Sequence, residues 1–126
     1  MKTLALLLTT LLTTTHAAST LDITLYFSDD CTESVVGELP NGQTATAVTY
    51  KGTQANYKHC KNVPAGLQSF STSGKSYCSG SSKDLWYVWD TSNTDCKGQG
   101  AATYAQCGPV KCIKASGGIG SVEFND

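Results

Sequence analysis

The six cysteines are the residues of this sequence with the clearest chemistry. They are Cys31, Cys60, Cys78, Cys96, Cys107 and Cys112. An even number of cysteines in a short exported chain predicts a disulfide framework. The alternative is a zinc site, which usually brings cysteines together in Cys-x-x-Cys pairs. Because no such pair occurs, we expect three disulfides and neither a metal nor another cofactor.

The side chains that could catalyse a reaction form no familiar constellation. General acid–base catalysis needs a group that titrates near the working pH, and beyond the N-terminal segment the one histidine is His59. No Gly-x-Ser-x-Gly nucleophile motif accompanies it. Two carboxylates could cleave a glycoside, and Asp29, Asp30 and Glu33 could bind calcium. Since the acidic residues fall at predicted strand ends and turns, turn capping is the simpler role. We therefore expect no catalytic residue and no enzymatic activity.

The N-terminal segment predicts export. Lys2 is followed by the apolar run Leu4–Leu12 and by the small residues Ala17, Ala18 and Ser19. This order is typical of a secretory signal, and the apolar run is too short to span a bilayer. We expect residues 1–18 to be a signal peptide and residues 19–126 to form a single secreted, extracellular β-domain with no membrane span.

The charge of the mature chain argues against a nucleic-acid partner. Without Lys2 the chain has 8 lysines and no arginine against 10 acidic residues, a net charge of −2. A protein that binds nucleic acid usually carries a basic patch that neutralises phosphates. We expect such a patch to be absent here.

Short runs of β-branched and aromatic residues, separated by turn residues, predict strands. Examples are Ile23–Phe27, Thr44–Tyr50 and Leu85–Trp89. Apolar residues do not recur at helical spacing over a dozen positions. The predicted fold class is therefore all-β, a sandwich or a barrel.

An internal repeat organises these strands. Cys60 precedes Gly66 by six positions and Ser69 by nine, and Cys112 precedes Gly118 and Ser121 by the same intervals. In each half an aromatic strand also leads to an Asp-Cys pair. The repeat predicts two related halves, residues 22–74 and 84–126.

Each half resembles a βγ-crystallin Greek-key motif, in which an aromatic strand leads to a tight turn that a later serine holds. The resemblance implies two Greek-key-like halves forming one small disulfide-stabilised sandwich, with Ser69 and Ser121 as the serines. Glu33 departs from the motif, which has glycine there, and both halves lack the paired Asn/Asp residues that bind calcium in that family. The chain is also similar in type to small cysteine-rich fungal effectors and killer-toxin-like proteins.

The repeat also narrows the disulfide pairing. Six cysteines allow 15 pairings. Cys31 and Cys60 occupy positions equivalent to those of Cys96 and Cys112, so a duplicated ancestor would have one bridge in each half. We therefore expect bonds Cys31–Cys60 and Cys96–Cys112, which leave Cys78–Cys107 to join the halves.

Aromatic residues are the best binding candidates. Alternation along the strands places Tyr26 and Trp86 on the more polar face, where they could stack on sugars or anchor a protein. Tyr57 belongs to the predicted exposed loop Lys51–Tyr57. We expect a secreted, non-enzymatic effector or antimicrobial, toxin-like protein. Its partner would be an extracellular host or competitor protein, or a cell-wall glycan. The alternatives are a protease inhibitor and a cell-wall carbohydrate-binding module.

The disulfide framework yields a prediction about mass. The intact mature protein should weigh six hydrogens less than its fully reduced form, because three disulfides account for all six cysteines. Mass spectrometry with and without reductant measures the difference. A thiol that titrates in the unfolded, unreduced protein would contradict it and reopen metal binding or cysteine catalysis.

Overall fold

The computed structural model describes residues 20–75, 78–79, 82–83, 85–97, 102–103 and 108–125. Its strands are β1 (Asp22–Tyr26), β2 (Gly37–Glu38), β3 (Thr44–Ala45), β4 (Ala47–Tyr50), β5 (Cys60–Asn62), β6 (Ser69–Ser73), β7 (Cys78–Ser79), β8 (Ser82–Lys83), β9 (Leu85–Trp89), β10 (Ala102–Thr103), β11 (Ile113–Lys114) and β12 (Ser121–Asn125). The described part contains no α-helix, and one 3-10 turn spans Gln54–Asn56. The predicted all-β class is confirmed, whereas the predicted signal peptide, residues 1–18, lies outside the described residues.

Two four-stranded antiparallel sheets form the body of the molecule. Sheet one has the order β11-β6-β1-β4, and sheet two has the order β10-β9-β12-β5. The pairs β2–β3 and β7–β8 form two small additional sheets. Alternation is clear in β1, where Ile23 and Leu25 are buried while Thr24 and Tyr26 lie on the outer face. This period of two is what a sheet with one buried face requires.

The hydrophobic core lies between the two sheets. Its central members come from both: Ile23, Leu25 and Phe70 from sheet one, and Val88 and Phe124 from sheet two, all with no exposed surface. Removing such a side chain from water contributes about 1.5–3 kcal/mol of stabilisation. The two inner faces therefore form the core of a small β-sandwich.

Each half of the chain contributes one short strand to the sheet formed mainly by the other half. β5 belongs to the first half but pairs with β12 of the second. β11 belongs to the second half but pairs with β6 of the first. Neither half therefore completes a four-stranded sheet by itself, and we call this arrangement the strand exchange.

The strand exchange contradicts two of the predicted disulfides. The bonds are Cys31–Cys112 and Cys60–Cys96, with Cα separations of 5.8 and 5.9 Å, so the predicted Cys31–Cys60 and Cys96–Cys112 were wrong. The physical reason is that Cys60 is the first residue of β5 and Cys112 directly precedes β11, so each exchanged strand brings its cysteine to the other sheet. The predicted Cys78–Cys107 bond lies outside the described part, which includes neither the side chain of Cys78 nor any of Cys107.

A buried serine holds the turn after the first strand of each half. Ser69 Oγ accepts a hydrogen bond from the Cys31 amide at 2.9 Å and donates one to the Ser28 carbonyl at 2.8 Å. Ser121 Oγ does the same with the Cys96 amide at 3.0 Å and the Asn93 carbonyl at 2.9 Å. These bonds confirm the predicted role of both serines.

The serine bonds and the disulfides act on the same strained residues. Cys31 and Cys96 adopt φ values of 57° and 55°. This left-handed region is costly for a residue other than glycine. In each turn, two interactions together hold the cysteine in that conformation. They are the hydrogen bond from the cysteine amide to the serine hydroxyl and the disulfide to the exchanged strand.

Ser69→Ala and Ser121→Ala should each lower the free energy of unfolding by about 1–3 kcal/mol. Each change removes a buried hydroxyl that bonds to two backbone groups, and it leaves an amide and a carbonyl unpaired. Urea unfolding of the purified variants measures the loss. Ser73→Ala, on the exposed end of β6, is the control and should change stability by less than about 0.5 kcal/mol. Equal stability of Ser69→Ala and Ser73→Ala would contradict the role given to the turn serines.

Candidate binding surface

Trp86 is a core residue, which corrects its prediction as a binding residue. Its side chain is 1% exposed, its ring lies 5.4 Å from that of Phe124, and its Nε1 donates a hydrogen bond to the Leu21 carbonyl at 2.7 Å. The error came from the alignment of the two halves. Trp89 pairs with Ser121 across neighbouring strands, just as Tyr26 pairs with Ser69. Counting back three residues from Trp89 and from Tyr26 makes Trp86 equivalent to buried Ile23. A shift of one residue exchanges the two faces of a strand.

The other two predicted aromatic residues are half-buried and lie apart. Tyr26 is on the outer face of sheet one, with its hydroxyl 3.4 Å from Ser71 Oγ. Tyr57 packs edge-on against the Phe124 ring at 6.1 Å, and Lys58 Nζ lies 5.6 Å from the Tyr57 ring centre. The structure thus brings Tyr26 and Tyr57 into different surroundings and not into one site.

An outward aromatic pair on β9 was missed by the sequence analysis. Tyr87 and Trp89 are half-buried, and their ring centres are 6.1 Å apart at an interplanar angle of 38°. The correct register of β9 would have identified them, because they alternate with buried Trp86 and Val88.

The described residues form a two-part cleft beside the turn between β2 and β3. One part, of about 510 Å³, is lined by Leu39, Pro40, Asn41, Tyr50, Asn62, Val63 and Pro64. The other, of about 420 Å³, is lined by Glu38, Leu39, Pro40, Gly42, Pro64 and Ala65. Leu39, Pro40 and Pro64 line both parts, so we call the whole the proline cleft. Its lining is mostly apolar with a few polar groups, as is common in ligand sites.

Local sequence makes one wall of the proline cleft rigid. The Leu39 amide bonds to the Gln43 carbonyl at 2.8 Å, and the Gly42 amide bonds to the Leu39 carbonyl at 2.9 Å. Gly42 has a φ of 86°, which favours glycine. Pro40 fixes its own φ and has no amide hydrogen to satisfy. This wall is therefore shaped before any ligand arrives.

Two exposed valines precede the cleft along the chain. Val35 is 43% and Val36 65% exposed, and they are the large hydrophobic residues most exposed in the described part. The next residue, Gly37, lies so close to the Phe27 ring that a Cβ would collide with it. This contact anchors the segment to the core while the valines point to solvent. From the sequence, no binding role was predicted for Val35 or Val36.

Hydrogen bonds favour the ionised form of two carboxylates in the turns after β1 and β9. The Thr32 hydroxyl, 2.6 Å from the Asp30 carboxylate, lowers the pKa of Asp30. The Ser92 hydroxyl, at 2.8 Å, lowers the pKa of Asp90. A lowered pKa stabilises the fold above the carboxyl group's ordinary value, and that stabilisation is lost as pH falls through the lowered value. The partners lie within the same turns, so Asp30 and Asp90 act as turn caps.

The remaining reactive groups do not converge. His59 is exposed and lies just before β5. Among the described residues no three His, Cys, Asp or Glu side chains are grouped to hold a metal ion. Within that same part, no helix has the length and apolar character needed to cross a membrane.

No family model matches the chain, and neither a curated protein nor a solved structure is significantly similar to it.

Trp86→Ala should lower the free energy of unfolding by about 3–5 kcal/mol, because it empties a large fully packed site and leaves the Leu21 carbonyl unpaired. Chemical denaturation measures this loss. Tyr26→Ala is the control on the outer face and should cost distinctly less. A Trp86→Ala protein within about 1 kcal/mol of wild type would contradict the core position of Trp86.

Proposed function

We propose that the chain is a secreted, non-enzymatic protein that acts by binding an extracellular protein, in the manner of effectors or toxin-like proteins. The observation that carries this proposal is the exposure of Val35 and Val36 immediately before Gly37 and the cleft residue Glu38. Exposed apolar residues that adjoin a cleft are typical of interaction sites. Two intramolecular disulfides are typical of extracellular proteins and support the secreted location.

Rigidity of this surface also supports a binding role. A preorganised surface loses little conformational entropy when it binds. Gly37 is fixed against Phe27, and the Glu33 carboxylate accepts a hydrogen bond from Thr46 Oγ1 at 2.7 Å, so both sides of the valine pair are anchored. The Cys31–Cys112 disulfide fixes the turn that directly precedes the segment carrying Val35 and Val36.

We also propose that the fold is βγ-crystallin-like. The strand orders, with one short strand of each half exchanged, and the serine bonds to the turns at Cys31 and Cys96 support the relationship. The departure at Glu33 and the missing Asn/Asp pairs separate this chain from calcium-binding members of that family.

A protease-inhibitor role is less well supported by the loop Lys51–Tyr57. Residues Gln54–Asn56 form a 3-10 turn, and Asn56 Nδ2 donates a hydrogen bond to the Lys51 carbonyl at 2.8 Å. Lys51 Nζ also lies 3.1 Å from the Asp22 carboxylate. A loop folded back on itself presents little extended backbone to a protease.

Binding of a cell-wall glycan is the second candidate function. Buried Trp86 cannot stack on a sugar, but Tyr87 and Trp89 lie side by side on the outer face of β9. Paired aromatic rings on a sheet suit stacking against sugar rings.

The double variant Val35→Ser/Val36→Ser should weaken capture of the target at least tenfold. Burying two valines contributes a few kcal/mol to association, and serine removes most of it. Immobilised protein is incubated with host extracellular fluid, and the retained proteins are quantified.

Thr24→Ser/Ser71→Ala, on the outer face of sheet one, is the matched control and should retain the target. Capture by the Val35→Ser/Val36→Ser variant that is as strong as capture by the wild-type protein would contradict the proposal. Retention on chitin or glucan that Tyr87→Ala abolishes would instead support the glycan function.

A further inference from the structure

The proline cleft lies where both sheets present an open edge. In the described part β4 is the outer strand of sheet one and pairs with β1, and β5 is the outer strand of sheet two and pairs with β12. Tyr50, the last residue of β4, and Asn62, the last residue of β5, line the same part of the cleft. The strand exchange is responsible, because it places β5 rather than a strand of the second half at this edge.

An open edge offers main-chain hydrogen bonds to another extended segment. An outer strand leaves one row of its amide and carbonyl groups without a strand partner. Peptides that bind such edges gain affinity from main-chain bonds and specificity from pockets for alternate side chains. β4 has four residues against three in β5, so it offers the longer edge.

The lining of the cleft indicates which side chains an added segment would carry. Leu39, Pro40, Val63 and Pro64 provide an apolar surface. Glu38 is the one charged side chain that lines either part of the cleft as the structure describes it. Burial raises the pKa of Tyr50, so its hydroxyl stays a neutral hydrogen-bond donor. This arrangement is complementary to apolar side chains next to a basic one.

We propose that the proline cleft binds an extended peptide segment of the partner protein as an added strand along β4, with apolar side chains between Pro40 and Pro64 and a lysine or arginine at Glu38. The inference rests on the proposed function and specifies the partner's recognition element. In this arrangement the exposed valines contact the partner beside the cleft, and the cleft determines which peptide sequences bind.

The test is an NMR titration of the ¹⁵N-labelled mature protein with two capped pentapeptides, Lys-Val-Leu-Val-Lys and Glu-Val-Leu-Val-Glu. The basic peptide should shift the amide signals of β4, Leu39 and Val63 saturably and bind at least tenfold more tightly than the acidic one. Glu38→Lys should reverse this preference. Asp29→Lys makes the same charge change at an exposed residue that does not line the cleft, and should keep the wild-type preference.

Three results would overturn the inference. They are the absence of saturable shifts along β4, equal affinity for both peptides with no effect of Glu38→Lys, and concentration-dependent shifts at the cleft without peptide. The last would show that a second copy of this chain occupies it. If the cleft does not bind peptide but target capture still depends on Val35 and Val36, this inference alone fails. If the cleft binds the basic peptide and capture does not depend on the valines, the proposed function fails as stated.

Discussion

The exchange of β5 and β11 between the two sheets is the constraint on which the rest of the structure depends. Each exchanged strand is an outer strand of a sheet whose other three strands come from the opposite half. Each is tied by a disulfide to a turn that a buried serine also holds. For cysteines 81 and 36 positions apart, loop closure gives about 4 kcal/mol per bridge, with the mechanism model-dependent. That is a large share of a typical net stability of roughly 5–15 kcal/mol.

The binding surface is a consequence of the same exchange. With β5 at the edge of sheet two, the loop at residues 63–65 that follows it stands opposite the turn at residues 39–42. The proline cleft is the space between them. Its walls are short turns built on proline and glycine, so its shape is set by backbone geometry and by the core below it, where Phe27 meets Gly37. A surface fixed in this way suits recognition of a segment that can adapt its own conformation.

Local pattern predicted the local structure well. The alternation from Ile23 to Phe27 identified β1 and its buried face, and the spacing from Cys60 to Ser69 and from Cys112 to Ser121 identified the two turn serines. These features depend on residues close in sequence or on a repeated interval. The β9 faces were assigned wrongly because the alignment of the two halves was shifted by one residue, and a strand rich in apolar residues on both faces gives no clear alternation to reveal the shift.

The disulfides and the cleft depend on long-range arrangement, which the repeat does not encode. Cys31 is equivalent to Cys96, and Cys60 to Cys112. This symmetry is satisfied equally by bonds within each half and by bonds between halves. Which one forms is decided by the sheet that the exchanged strand joins, through packing of its side chains on a distant partner. The cleft likewise joins residues from two loops and the end of β4, whose proximity no local pattern indicates.

A disulfide map of the unreduced protein tests the strand exchange most directly. Cleavage after lysine separates all six cysteines, because a lysine lies between each consecutive pair of them. Mass spectrometry of the unreduced digest should find the Cys31 peptide joined to the Cys112 peptide, and the Cys60 peptide joined to the Cys96 peptide. Linked peptides Cys31–Cys60 and Cys96–Cys112 would show that each half closes on itself and would contradict the account.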